Sequence, residues 1–346
     1  MPEWICRDDA ILPMPNFLPL SIITRKTVRG ATPSIVIERL RNCFVSRSIV
    51  IELIFNDHAS VLLSFISNTS YVKMFLHLYL ETSRETAGDQ GGIIVETKKH
   101  SGNAVLFARE SKAILRAANG TIKDPIKNHR PPLKPVFLRK RKSEECFLMI
   151  ENINEIISDG LDSMLIGWTS LCALTDTSIS NQIDSEFASK VVLGVDNDET
   201  GTDINSNLVD ILSNDKSELD HELFKRIQTL SFSVLHNALS TLMSKEVLDE
   251  AIQRNVFLRA DLVEILIDEI TEAEVKLHEA YLAAASLAII VQASKEGRKH
   301  AVCCGVFEIL ITAQYVGERN HAKLAAACRN ALIALTFHDE QVLENI

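Results

Sequence analysis

The chain has 346 residues, 46% of them apolar, a net charge of −10 and seven cysteines with no C-x-x-C pair. That apolar share supports a substantial core, and no apolar run approaches the ~20 residues a bilayer span needs. An odd set of scattered cysteines excludes a disulfide framework and a zinc-finger spacing, so the thiols are expected to be buried, in a reducing compartment.

The charge is unevenly spread. Residues 1–145 carry 22 Lys+Arg and 14 Asp+Glu, whereas residues 146–346 carry 14 and 32. An acidic second half favours a basic partner, because complementary charge speeds encounter and rejects wrong partners.

In chain order, residues 1–33 hold several prolines and little periodicity. Asp8 and Asp9 precede the apolar part, and Pro13, Pro15 and Pro19 interrupt it, which is not the pattern of a secretory signal. A soluble intracellular protein is expected. Residues 34–82 are strongly apolar. The β-branched run from Ser48 to Phe55 fits a strand or a buried helix, and its neighbours favour helix. Gly88, Gly91 and Gly92 mark residues 83–101 as a loop. The segment 102–120 is an amphipathic helix stopped by Asn119-Gly120. Residues 1–122 are thus expected to form a mostly helical N-terminal region.

Residues 123–145 form a basic, proline-containing linker, whose part 123–142 holds eight basic residues and one acidic. Pro131, Pro132 and Pro135 forbid continuous helix there. Arg139, Lys140, Arg141 and Lys142 make a basic run of the kind import receptors read, so localisation is expected to be cytoplasmic, or nuclear if the run works as a signal. The tether is also suited to lie on the acidic half as an internal mimic of a basic ligand.

Residues 146–346 read as helices, interrupted by an acidic insertion at about 194–222, a loop or short helix. Three stretches are copies of one unit: 232–267, 282–311 and 325–346. At an offset of 50 residues, Lys245, Glu246, Ala251, Val256 and Phe257 recur as Lys295, Glu296, Ala301, Val306 and Phe307. A period in this range signals stacked helical units, each too small to bury its apolar face alone. Leu235, Ala238, Leu239 and Leu242 recur in kind as Ala283, Ser286, Leu287 and Ile290, then as Cys328, Ala331, Leu332 and Leu335. Asn255 and Gly305 stand where a left-handed turn would break one helix from the next.

These residues resemble the armadillo repeat, over roughly residues 160–346. The resemblance implies an all-α, right-handed solenoid whose third helices line a groove for an extended peptide. The positions it carries onto that groove are Thr169, Ala173, Asn237, Thr241, Ala285, Ile289, Asn330 and Ala334. They lack the Trp/Asn pairs that hold a nuclear localisation peptide in the importin-alpha group. Trp168 falls one position off and is expected in the core.

No catalytic constellation is present: no H-E-x-x-H, G-x-S-x-G or phosphate loop occurs. Residues 196–207 carry Asp196, Asp198, Thr200 and Gly201 at EF-hand spacing, but Asp203 and Asn207 depart from that pattern. His300, Cys303 and Cys304 suggest a thiol site, against which a packed core is favoured. No metal and no cofactor is expected. The basic half offers nucleic acid no more than phosphate contact. The expected function is a non-catalytic protein–protein scaffold that binds an extended, basic segment. The alternative is an enzyme or regulator seated in the N-terminal half.

Overall fold

The computed structural model describes residues 4, 11–14, 24–55, 59–67, 70–81, 92–121, 143–195, 199–213, 221–243, 246–254 and 257–336. The linker run Arg139–Lys142 and the turn residue Asn255 lie outside them. The chain divides into two compact units, one drawn mostly from residues 1–129 and one mostly from residues 130–346.

The first unit overturns the all-α expectation. It runs β1 (Arg25–Val28), α1 (Pro33–Arg47), β2 (Val50–Phe55), β3 (Ser60–Ile66), β4 (Tyr71–Leu80), β5 (Ile93–Gly102) and α2 (Ala104–Ala118). The strands form one antiparallel sheet in the order β1-β5-β4-β3-β2. Val50–Phe55 of the run Ser48–Phe55 is therefore strand β2, and β5 covers residues 93–101 of the loop expected over 83–101. Strand β4 shows why. Val72, Met74, Leu76 and Leu78 alternate along it and are fully buried, as period-2 side chains on one face must be. Phe75, His77 and Tyr79 on its other face form a ladder of rings with centroids 5.9 Å apart at each step.

Helix α2 behaves as its sequence predicts. Asn103 caps it, its Oδ1 accepting from the Val105 and Leu106 amides at 2.9 and 3.0 Å. Gly120 follows its C-terminus with φ +73. Before it, Gly102 turns the chain at φ +89, where any Cβ would strike the Tyr71 carbonyl. Glu110 of α2 is fully buried, and its carboxylate accepts from Arg47 Nε at 2.6 Å, Arg47 Nη2 at 3.0 Å and Arg109 Nε at 2.8 Å. The paired charges tie α1 to α2 over the core of Leu40, Phe44, Leu63 and Ile114.

The second unit is helical throughout its described residues. Its elements are α3 (Ser143–Ser158), α4 (Leu161–Thr175), α5 (Gln182–Val192), α6 (Glu199–Ser213), α7 (His221–Leu242), α8 (Glu246–Arg254), a π-helical turn (Phe257–Asp261) running into α9 (Leu262–Thr271), α10 (Leu277–Ala293), α11 (Lys295–Cys303), α12 (Val306–Asn320) and α13 (Ala322–Thr336). The order long, short, third helix in α7–α8–α9 repeats in α10–α11–α12, in step with the 50-residue sequence offset. The pattern residues Leu235, Ala238, Leu239, Leu242, Ala283, Ser286, Leu287, Ile290, Cys328, Ala331 and Leu335 are buried, as is Trp168, whereas Leu332 is half-buried. Gly305 takes φ +72 between α11 and α12, a turn most side chains would strain.

The acidic insertion contains a helix. Residues 199–207 lie in α6, and Asn205 Nδ2 donates to Val192 O at 2.8 Å. Asp196 and Asp198 lie outside the described residues, and the helical backbone from Glu199 onward does not form the tight loop an EF-hand needs. Among the described residues no single helix is long and apolar enough to cross a membrane.

Candidate peptide-binding groove

A groove of about 750 Å³ runs across α7, α10 and α13. Helix α7 contributes His236, Ser240 and Met243. Helix α10 contributes Tyr281, Ala285, Ala288, Ile289 and Gln292, and α13 contributes Lys323, Ala326, Ala327, Asn330, Ile333 and Ala334. The spacings are helical: 236/240, 281/285/289 and 326/330/334 keep one face of each helix on the groove. Its depth comes from alanine. Five of the lining side chains stop at Cβ, while Met243 and Ile333 stand exposed at the rim. A volume of this size lies within the range of ligand pockets, roughly 300–1,000 Å³.

A cation and several rings gather around Tyr281. Lys323 Nζ lies 5.6 Å from the Tyr281 ring centroid, within cation–π reach. The His236 and His278 rings lie 6.3 and 5.7 Å from Tyr281. Burial pushes His236 down to about 4. Burial, then the Lys323 ammonium and His236, pushes His278 down to about 3. Both imidazoles are therefore neutral near pH 7, and Lys323 is the sole charge among the lining side chains. The groove itself is not acidic, although the unit that carries it is.

Four of the sequence-derived positions, Ala285, Ile289, Asn330 and Ala334, line this groove. Asn237 and Thr241 do not. They are buried, and they face α4. Asn237 Nδ2 donates to Cys172 O at 3.3 Å, and Thr241 Oγ1 donates to Thr175 O at 3.5 Å. On α7 the groove belongs to the residue before each, His236 and Ser240. One step along a helix turns a side chain by about 100°, enough to exchange groove for interior. Thr169 is exposed on α4, outside the lining, and its hydroxyl donates to Leu165 O at 2.7 Å. Ala173 on α4 is half-buried, also outside the lining. Tyr281, Lys323 and Met243 carried no repeat signature, and the sequence reading missed them.

The packed core expected around His300, Cys303 and Cys304 is also absent. Cys303 is exposed, and His300 and Cys304 are half-buried. Buried thiols are found at Cys146, Cys172 and Cys328.

Comparison with family models, with curated proteins and with solved structures finds no match to this chain.

Proposed function

We propose that the second unit is an armadillo-like protein-binding scaffold that holds an extended segment in the α7–α10–α13 groove. The carrying observation is a continuous groove built by one face each of the successive helices α7, α10 and α13, with alanines as its floor. The proposed binding is non-catalytic, since the sequence carries no catalytic motif. Apolar side chains of the ligand fill the floor. Gln292 and Asn330, both exposed, offer carboxamides that can pair with a peptide backbone in either direction. Basic residues flanking the docked segment suit the acidic balance of residues 146–346, which steers them in from a distance. Lys323 marks the end of the groove that prefers a carbonyl or carboxylate.

The test is selection of displayed random peptides on the full chain, in parallel with an Ala285→Trp/Ala334→Trp variant whose groove is filled. Peptides enriched on the wild-type chain should lose at least tenfold in affinity on the variant. Equal binding of the same peptides to both proteins would remove the groove from the function.

A further inference from the structure

A second site lies on α9 and α11. Glu264 projects from α9. His300 sits in α11, and Cys304 follows one turn later, at the end of that helix. One atom, His300 Nε2, faces both partners: it is 3.3 Å from Glu264 Oε1 and 3.7 Å from Cys304 Sγ. All three donor atoms lie within 4.8 Å of one another. The i,i+4 spacing of His300 and Cys304 puts both side chains on one helix face. Asp268 follows Glu264 by the same spacing on α9.

The distances fit a shared ion. With metal–nitrogen and metal–oxygen bonds of about 2.0 Å and a metal–sulfur bond of about 2.3 Å, tetrahedral angles separate N from O by about 3.3 Å and N from S by about 3.5 Å. A thiolate, an imidazole and a carboxylate together select a borderline transition ion over magnesium or calcium, which prefer oxygen alone.

We propose that Glu264, His300 and Cys304 bind a divalent transition ion of the zinc class, with Asp268 as the outer carboxylate or fourth ligand. The ion takes the Cys304 thiolate and the lone pair of His300 Nε2. The ion clips α11 to α9, two helices that both pack against the groove helix α10. Glu264 is exposed and His300 and Cys304 are half-buried, so exchange with solvent is open, as suits a reversible site.

The experiment is titration of the tag-free, chelator-treated full chain with Co²⁺, read by its near-ultraviolet thiolate-to-cobalt charge-transfer band. One ion per chain at micromolar affinity, displaced by Zn²⁺, is expected. Cys304→Ser and His300→Gln should abolish the band, Asp268→Asn should weaken binding about tenfold, and Cys303→Ser should leave the band in place. As a second readout, Zn²⁺ should raise the thermal midpoint of the wild-type chain and of Cys303→Ser, but not of Cys304→Ser. All four positions are exposed or half-buried, and unchanged far-ultraviolet circular dichroism checks that each variant folds. The absence of a band, binding only at millimolar metal, or a band that survives Cys304→Ser would overturn the proposal.

Discussion

Gly317 lies inside α12, where glycine costs a helix about 1 kcal/mol relative to alanine. Propensity alone therefore predicts that Gly317→Ala stabilises the protein. Packing predicts the opposite. A Cβ built there would lie 2.5 Å from Ala325 N, 3.0 Å from its Cα and 3.2 Å from its Cβ. These are mainly backbone atoms of α13 and cannot rotate away, so the two helices must separate. Overpacking of this kind costs about 1–3 kcal/mol, and a backbone contact belongs at the upper end. The steric effect wins, with a net loss of about 1–2 kcal/mol. Because α13 forms one wall of the groove, its displacement should also weaken a groove-bound peptide. The assay is hydrogen exchange by mass spectrometry on peptides covering α12 and α13. Protection should fall by about tenfold, the equivalent of about 1.4 kcal/mol. A gain in protection would refute the reasoning, since it would show that the close crossing of α12 and α13 does not constrain this position.

Three further outcomes are expected. Glu110→Ala strands the Arg47 guanidinium in the first unit and should cost about 3 kcal/mol, whereas Arg47→Met/Glu110→Leu should recover most of it; urea unfolding followed by Trp4 fluorescence in a Trp168→Phe background checks both. His236 and His278 have folded pKa values depressed below the unfolded value, so their contribution is complete above about pH 6.5 and falls as the unfolded chain takes up protons that the folded chain refuses. Between pH 7 and pH 5 the loss is roughly 2 kcal/mol per histidine, and His236→Phe should remove about half of that slope in denaturation of the second unit. Asn237→Ala removes its bond to Cys172 O and should cost about 1 kcal/mol, and should leave the affinity of a groove-selected peptide unchanged in a fluorescence titration.

The helical half was legible in the sequence because its signal is redundant. The 50-residue offset, the Ala/Leu spacing and Gly305 each specify the same helix breaks, and α7 to α12 follow them. The sheet was hidden for two different reasons. In β4, Val72, Met74, Leu76 and Leu78 alternate with Phe75, His77 and Tyr79, so both faces carry bulky side chains and the period of 2 disappears from an apolar/polar reading. In β5, Thr97, Lys98, Lys99 and His100 read as polar loop, yet Lys98 pairs with Phe75 in the middle of the sheet. The strand is held by its neighbours' hydrogen bonds, a tertiary cause that local composition does not carry.

The groove shows how much one residue of register decides. The repeat pattern placed Ala285, Ile289, Asn330 and Ala334 on the groove because α10 and α13 keep the spacing from which the pattern was read. It placed Asn237 and Thr241 there as well. Helix α7 is instead rotated so that both polar groups turn inward, where Cys172 O and Thr175 O accept from them. That choice has a physical basis. Asn237 and Thr241 bring donors to two buried carbonyls near the end of α4, the first of which also accepts from the Asp176 amide. The Glu264–His300–Cys304 cluster was invisible for a related reason. Its two halves are 36 residues apart in sequence and form no motif, and only the packing of α11 on α9 brings a carboxylate to an imidazole and a thiol already aligned one turn apart.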